Sequence, residues 1–169
     1  MRWYWIDRFE EFESGRRAVA VKNVTLAEEH LHDHCPEYPH MPITLLIEGM
    51  AQTAGILVGE VKHFTEKVIL AKIRRARVEG LTLPGDQLRY EASIESIDDL
   101  GAATTGIVFR NGQPVGQIDL FFSHIDQNQG GVEFPEENFV FSDQFKVLLN
   151  TLAAGRLDAS TSVKAGAHD

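Results

Sequence analysis

The sequence predicts an α+β fold in which a curved antiparallel sheet wraps around one long buried helix. Three features of the chain predict this arrangement. Two strand patterns come first, a nearly all-apolar helical segment follows them, and four more strand patterns complete the series. One helix flanked by two groups of strands predicts a sheet that folds around that helix.

Composition predicts one globular domain and argues against a nucleic-acid-binding protein. The chain has 169 residues, 43% of them hydrophobic, which is enough for one domain with a real core. Its formal charge of −9 argues against a nucleic-acid partner, because neutralising phosphates requires a surplus of lysine and arginine. We therefore expect an acidic globular protein that does not bind nucleic acid.

The cysteine content and the apolar runs predict a cytoplasmic protein. Cys35 is the single cysteine, so an intramolecular disulfide is impossible. Residues 1–12 lack the basic start and apolar stretch of a signal peptide. No apolar run approaches the ~20 residues that span a bilayer, so we expect no membrane partner.

The first half of the chain predicts two strands, a loop and the helix. Strands are expected over residues 4–12 and 17–25, joined by a turn at Glu13-Ser14-Gly15. Prolines at positions 36, 39 and 42 predict a stiff, irregular loop over 26–42. The helix is expected over 42–63, with Pro42 in its first turn. Its own apolar side chains occupy nearly every side of the helix, which is typical of a buried helix.

Four strand patterns follow, and the chain then changes character. The strands are expected over residues 68–78, 87–97, 102–110 and 114–124, with Asn111-Gly112 forming a tight hairpin. These elements predict a main domain over 1–126. An extension over 127–154 is expected to hold a short helix at 142–154, and a polar tail over 155–169 is expected to be disordered.

Glu48 is the most informative single residue, because it lies in the middle of the apolar helix. Thr44 and Gln52 lie one turn on either side of it, so the three residues share one face. Burial favours the protonated form of a carboxyl group and raises its pKa, which suits a general acid. The alternative is a structural carboxylate that accepts hydrogen bonds and does no chemistry.

Histidines crowd the loop that precedes the helix. His34 is a candidate general base, since histidine is the usual proton carrier near neutral pH. A metal site is the competing hypothesis, because histidine and cysteine bind zinc. Alternate side chains of an extended segment point in opposite directions, which disfavours three of them converging on one ion. The residues in question are His30, His32, His34, Cys35 and His40.

Residues 34–52, HCPEYPHMPITLLIEGMAQ, resemble the signature of the 3-hydroxyacyl-[acyl-carrier-protein] dehydratases of fatty acid synthesis. The spacing from His34 to Glu48 matches that family. The segments 22–25, 76–77 and 84–88 also resemble family sequence, so that the resemblance covers about residues 3–125.

The resemblance implies a fold, an assembly and a chemistry. The family adopts the hot-dog fold and forms dimers, or trimers of dimers, with each active site at the subunit interface. His34 of one chain would remove the C2 proton of a (3R)-hydroxyacyl thioester, and Glu48 of the other would protonate the departing hydroxyl. Backbone N–H groups at the helix N-terminus would polarise the thioester carbonyl. The carrier is acyl carrier protein or CoA, and no metal or organic cofactor is implied.

The resemblance also implies which residues bind substrate, and three positions depart from the family. Ile43 replaces a glycine, Cys35 replaces a phenylalanine, and Asp33 stands where glycine is common. An isoleucine side chain can crowd a point of close backbone approach, and a smaller residue at 35 can reshape the acyl tunnel. The implied substrate-binding residues are Cys35, Pro36, Met41, Ile43, Thr44 and Gln52.

A basic cluster interrupts the acidic chain at Lys72, Arg74, Arg75 and Arg77. It is a candidate docking patch for an acidic carrier protein, and the alternative is an ordinary solvated strand. Two other functions remain open at this point. The same fold suits an acyl thioesterase with Glu48 as base, and the departure at Ile43 suits a non-catalytic paralogue that only binds acyl thioesters.

Overall fold

One long helix lies against a six-stranded antiparallel sheet in the computed structural model of the chain, which describes residues 4–125 and Val140. The order of strands across the sheet is β1-β2-β4-β5-β6-β3. In chain order the elements are β1 (Arg8–Glu13), β2 (Arg17–Asn23), α1 (Glu29–Asp33), α2 (Ile43–Val61), β3 (Lys67–Val78), β4 (Gln87–Ile97), β5 (Gly101–Arg110) and β6 (Gln113–Ile125). The predicted α+β class and all six predicted strands are confirmed.

The helix α2 forms the centre of the core. It contacts strands β2 to β6, and its residues from Leu46 to Gly59 are buried, except that Ile47, Glu48 and Gln52 are partly buried. The almost unbroken apolar sequence therefore predicts its position correctly, because only a surrounded helix removes so much apolar surface from water. Gly49 allows the close packing: a Cβ there would lie 2.6 Å from the ring of Tyr90 on β4.

The hairpin between β5 and β6 confirms the prediction made from Asn111-Gly112. Both residues have positive φ angles, 52° and 79°, and Arg110 pairs with Gln113 on either side of them. Such a two-residue turn requires left-handed backbone at both positions, which asparagine and glycine tolerate.

The segment over 26–42 differs from the prediction of an irregular loop, because it contains the short helix α1. The three prolines all come after this helix, so their restrictions act on later residues and leave Glu29–Asp33 free to become helical. A turn precedes the helix, in which the Glu28 carboxylate accepts the Thr25 N–H at 2.9 Å. Leu31 anchors α1 in the core.

The first predicted strand is also shorter than expected. Strand β1 begins at Arg8, while Trp5 and Ile6 are buried ahead of it. The backbone N–H of Trp5 bonds to a side chain of α2 instead of to a strand, as described below.

Strand β3 forms one edge of the sheet and pairs only with β6 among the described strands. Its residues from Leu70 to Arg77 are all exposed. The predicted extension over 127–154 and the tail over 155–169 lie outside the described residues, apart from Val140, which packs against the core. Within the described residues, no helix is long and apolar enough to cross a membrane.

Candidate active site

His34 follows directly after α1, which positions it. Its backbone N–H donates to the carbonyl of His30 at 3.2 Å, and its side chain is exposed. The imidazole lines an open cleft of about 570 Å³. The other residues that line this cleft are Tyr4, Trp5, Ala27, Glu28, Glu29, His30, Asp33, Pro42, Thr44 and Leu45.

A hydrogen-bonded turn leads from His34 to α2. The N–H of Tyr38 donates to the carbonyl of Cys35 at 3.1 Å, and Nδ1–H of His40 donates to the carbonyl of Tyr38 at 2.8 Å. That bond fixes the tautomer of a neutral His40, whose ring lies 6.1 Å from the ring of His34. Pro36 is exposed in this turn and Cys35 is partly buried.

Met41 ends the turn and is held inside the molecule. Its N–H donates to the carbonyl of Thr82 at 2.8 Å, and its side chain is buried in the core. Met41 also lines a smaller cavity of about 180 Å³ beside the start of α2. Of the predicted substrate-binding residues, Met41 is thus the one that belongs most clearly to the core.

The N-terminus of α2 opens toward the cleft of His34. Pro42 is the N-cap residue, its carbonyl accepts the N–H of Leu45 at 3.0 Å, and within the described residues no side chain caps this end. The first turn contains no acidic residue, so its positive dipole end is not neutralised locally.

The first two residues of α2 lie beside different cavities. Thr44 lines the cleft of His34, whereas Ile43 lines the smaller cavity with Met41. The isoleucine side chain that replaces the family glycine is therefore not among the residues that line the cleft of His34.

Glu48 lies one turn beyond Thr44 and is partly buried. Its Oε1 accepts the Nε2–H of Gln52 at 3.0 Å, and Oε1 of Gln52 accepts the backbone N–H of Trp5 at 2.8 Å. The predicted stripe of polar residues on α2 is therefore real. Glu48 is not among the residues that line the cleft of His34 in one chain.

A buried ion pair lies at the wall of the cleft. Nζ of Lys22 lies 3.0 Å from Oε2 of Glu28, and only 8% of the lysine side chain is exposed. Nδ1 of His30 lies 3.8 Å from the same carboxylate oxygen. Burial lowers the pKa of His30, and this effect outweighs the carboxylate of Glu28, which raises the pKa; Lys22 and the neighbouring His34 lower it further.

The four basic residues of the predicted docking patch are all exposed on β3, but three of them are paired. Arg74 donates to Glu95 at 2.6 Å, Arg75 lies 3.5 Å from Asp119, and Arg77 lies 3.1 Å from Glu79. Lys72 has no ion-pair partner among residues 4–125. The free positive charge of this surface is therefore smaller than the sequence suggests.

Metal binding finds no support in the geometry of the histidine-rich segment. Within residues 4–125 and Val140, no group of three or more histidine, cysteine, aspartate or glutamate side chains is arranged to hold a metal ion. The rings of His34 and His40 do approach each other, while His30 packs against Trp5 at 5.1 Å between ring centroids.

Three features of the site escaped the sequence reasoning. Lys22 alternates with Ala18 and Ala20 on one face of β2, and a lysine on an apolar face is a sign of a buried ion pair. The Thr25-x-x-Glu28 spacing is a sign of the turn before α1. The contact from Trp5 to Gln52 had no such sign, because it joins residues that are distant in the chain.

Comparison with solved structures confirms the hot-dog fold. The dehydratase heterocomplex ApeI:P of Xenorhabdus doucetiae matches with a TM-score of 0.60 at 16% identity, over 74% of this chain and 85% of that chain. A hot-dog-like protein from Thermanaerovibrio acidaminovorans matches with a TM-score of 0.56 at 13% identity, over 68% of this chain and 84% of that chain. Identities this low show the fold alone.

Comparison of the sequence with known proteins gives a more specific result than comparison of the fold. A family model described as a FabA-like domain matches residues 3–117. The 3-hydroxyacyl-[acyl-carrier-protein] dehydratase FabZ of Halalkalibacterium halodurans is 38% identical over 119 residues, which are 70% of this chain and 85% of that protein. The resemblance seen around His34 and Glu48 thus extends through most of the described domain, and the chain belongs to the FabA-like family of 3-hydroxyacyl-[acyl-carrier-protein] dehydratases.

Proposed function

We propose that the protein dehydrates (3R)-hydroxyacyl thioesters to trans-2-enoyl thioesters in fatty acid or related lipid biosynthesis. One observation carries this proposal beyond family membership. His34 and the first turn of α2 line the same cleft, and no side chain of the described residues caps that turn, so a base and backbone donors adjoin one volume. A thioester bound there would meet the base and the backbone donors, while the general acid comes from the second subunit, as argued below.

The chemistry assigns a separate role to each group. His34 takes the C2 proton as general base, and Glu48 gives its proton to the departing C3 hydroxyl as general acid. The electron pair left at C2 forms the C2–C3 double bond, and water leaves. Backbone N–H groups in the first turn of α2 stabilise the negative charge that develops on the thioester oxygen, since a helix N-terminus favours negative charge.

The active unit in this proposal is a homodimer, alone or within a trimer of dimers. His34 of one subunit would meet Glu48 of the other, which agrees with the absence of Glu48 from the lining of the cleft in one chain. The exposed edge strand β3, with Leu70 and Ile73 on its surface, supports pairing with a second copy. The cytoplasmic location remains a prediction from the sequence.

Acyl carrier protein is the proposed carrier, with CoA as the alternative. The proposed docking patch is Lys72, Arg74, Arg75 and Arg77, and Lys72 is the member without an ion-pair partner in the described part of the chain. Lys72→Glu is expected to raise KM for a carrier-protein substrate several-fold and to leave KM for the matching CoA thioester unchanged. An equal change for both substrates would count against docking at this surface.

The test is hydration of a trans-2-enoyl-acyl-carrier-protein, followed by mass spectrometry. His34→Ala and Glu48→Gln are each expected to lower kcat by ~100-fold or more, because each removes one proton-transfer group. His32→Ala is the matched control, since His32 is exposed on α1 and does not line the cleft. It is expected to retain full activity.

The same assay separates the other candidate functions. Release of free thiol from the carrier, without hydration, would identify a thioesterase and overturn the proposal. A wild-type protein that binds the enoyl carrier but never adds water would identify a non-catalytic paralogue. Ile43→Gly would then test whether restoring the family glycine restores turnover.

A further inference from the structure

The Gln52 amide bridges the N-terminal segment and Glu48. Its Oε1 lies 2.8 Å from the backbone nitrogen of Trp5, and its Nε2 lies 3.0 Å from Oε1 of Glu48. A backbone N–H can only donate, so it fixes which end of the amide faces it. The amide oxygen must face Trp5, and the amide N–H must therefore face Glu48.

We propose that the main-chain N–H of Trp5 is a positioning group for Glu48, which acts through Gln52. This inference rests on the proposed dehydratase function and adds a residue to its machinery. The Gln52 N–H occupies Oε1 of Glu48, so the proton that Glu48 delivers is carried on Oε2. From there it passes to the C3 hydroxyl oxygen as the C3–O bond breaks and water leaves.

The segment that holds Trp5 is rigid enough for this role. The side chains of Trp5 and Ile6 are both buried, and the indole packs edge-on against His30 with 5.1 Å between centroids. Just beyond, the N–H of Asp7 donates to the carbonyl of Val21 at 2.7 Å, and the Asp7 carboxylate accepts the N–H of Asn23 at 2.7 Å. A donor held by its own buried side chain and by the hydrogen bonds of the next residues orients its acceptor better than a mobile one does.

Trp5→Pro tests the inference, because proline has no backbone N–H. Trp5→Ala is the reference, since it removes the same indole but keeps the N–H. Relative to Trp5→Ala, we expect Trp5→Pro to lower kcat for enoyl hydration by ~10-fold or more, with KM within twofold, since misplacing a catalytic group slows chemistry more than binding. Thermal unfolding of Trp5→Pro and Trp5→Ala checks that the two variants are folded to the same extent before their kcat values are compared.

A double-mutant cycle distinguishes positioning from a general structural effect. The comparison of Trp5→Pro with Trp5→Ala is repeated in a Gln52→Ala background. If Trp5 acts through Gln52, the difference in kcat disappears once Gln52 is gone. A difference of unchanged size in both backgrounds overturns the inference, as does equal kcat for Trp5→Pro and Trp5→Ala in the parent protein.

A second variant applies if Trp5→Pro does not fold, as judged by thermal unfolding. Gln52→Asn keeps the amide but is too short to reach both partners, and it is expected to lower kcat by ~10-fold with KM unchanged. Wild-type kcat in Gln52→Asn would overturn the inference. Failure of the proposed function is distinguishable from all of these results, because the wild-type protein itself would then not hydrate the enoyl thioester.

Discussion

The phenol ring of Tyr90 lies directly against the backbone of Gly49, where an added Cβ would stand 2.6 Å from both Cζ and Oη of the tyrosine. This contact joins the central helix to β4 one residue away from Glu48. It also explains why the helix can lie so close to the sheet, because any side chain at position 49 would require the ring to move.

Gly49→Ala is expected to destabilise the protein despite the better helix propensity of alanine. Overpacking against Tyr90 costs ~1–3 kcal/mol, while alanine returns up to ~1 kcal/mol, so we expect a net loss of about 1–2 kcal/mol in the free energy of unfolding. Urea unfolding of the variant and the wild type measures this loss. Gly55→Ala in the same helix, where the nearest atom would be 3.2 Å away on Phe122, is expected to change stability less. In a Tyr90→Leu background the cost at Gly49 should largely vanish, and an unchanged cost would contradict this assignment.

Tyr90→Phe is expected to leave stability unchanged or to raise it by about 1 kcal/mol, since a buried hydroxyl without a partner carries a desolvation cost. The Tyr90 hydroxyl is buried and has no hydrogen-bond partner within the described residues. Chemical denaturation at neutral pH is the measurement, and Tyr38→Phe, with 55% of Tyr38 exposed, is the control. A loss of more than 1 kcal/mol in Tyr90→Phe alone would reveal a bond to the hydroxyl.

Tyr90 should also make the protein sensitive to alkali. Burial raises the pKa of Tyr90, and the negative charges of Asp7 and Glu28 raise it further. The folded state therefore keeps the proton after the unfolded state begins to lose it near pH 10, so stability is full below that pH and falls above it by up to ~1.4 kcal/mol per unit. Tyr90→Phe is expected to lose this part of the slope, and Tyr38→Phe to keep it. Identical slopes in the two variants would refute the assignment.

His30 should make the protein sensitive to mild acid. Burial, Lys22 and His34 hold the pKa of His30 below its ordinary value, so the unfolded state binds a proton first as pH falls. This contribution is fully present above about pH 6.5 and is lost below it. His30→Phe keeps a ring against Trp5 and is expected to flatten the dependence of the urea midpoint between about pH 7.5 and 5. His32→Phe, at an exposed position, is expected to retain the wild-type dependence.

Lys22→Met is expected to cost about 3 kcal/mol, because it leaves the partly buried carboxylate of Glu28 without its cation. Arg16→Met breaks an ion pair with Glu13 in which 74% of the arginine side chain is exposed, and should cost less than ~1 kcal/mol. Urea unfolding compares the two. Adding Glu28→Gln to Lys22→Met is expected to recover part of the loss, and no recovery would mean that the lysine stem, rather than its charge, stabilises the core.

The sequence predicted elements well where local pattern decides them. Asn111 and Gly112 require one kind of turn, and the apolar run that includes Leu57 requires burial. The prediction was wrong over 26–42, because the prolines were expected to prevent regular structure in residues that precede all three of them. Only the three-dimensional contact with Leu31 and the turn at Glu28 show that a helix forms there.

The candidate site was predictable as a set of residues but not as a network. His34, Glu48 and their spacing can be read from one stretch of chain. The link from Trp5 through Gln52 cannot, because the two residues are brought together only when the N-terminal segment packs across α2. The same holds for Lys22, whose partner Glu28 lies beyond the end of β2.

The position of β3 has a consequence for the order in which the molecule can assemble. β3 comes before β4, β5 and β6 in the chain, but its hydrogen-bonding neighbour is β6. During synthesis, the central helix and β3 therefore emerge before the strand that β3 must pair with exists. The β4–β5–β6 meander can form from local contacts, whereas β3 has to wait for the chain to reach Ile125. Until then an apolar helix and an open strand edge are exposed together on the nascent chain.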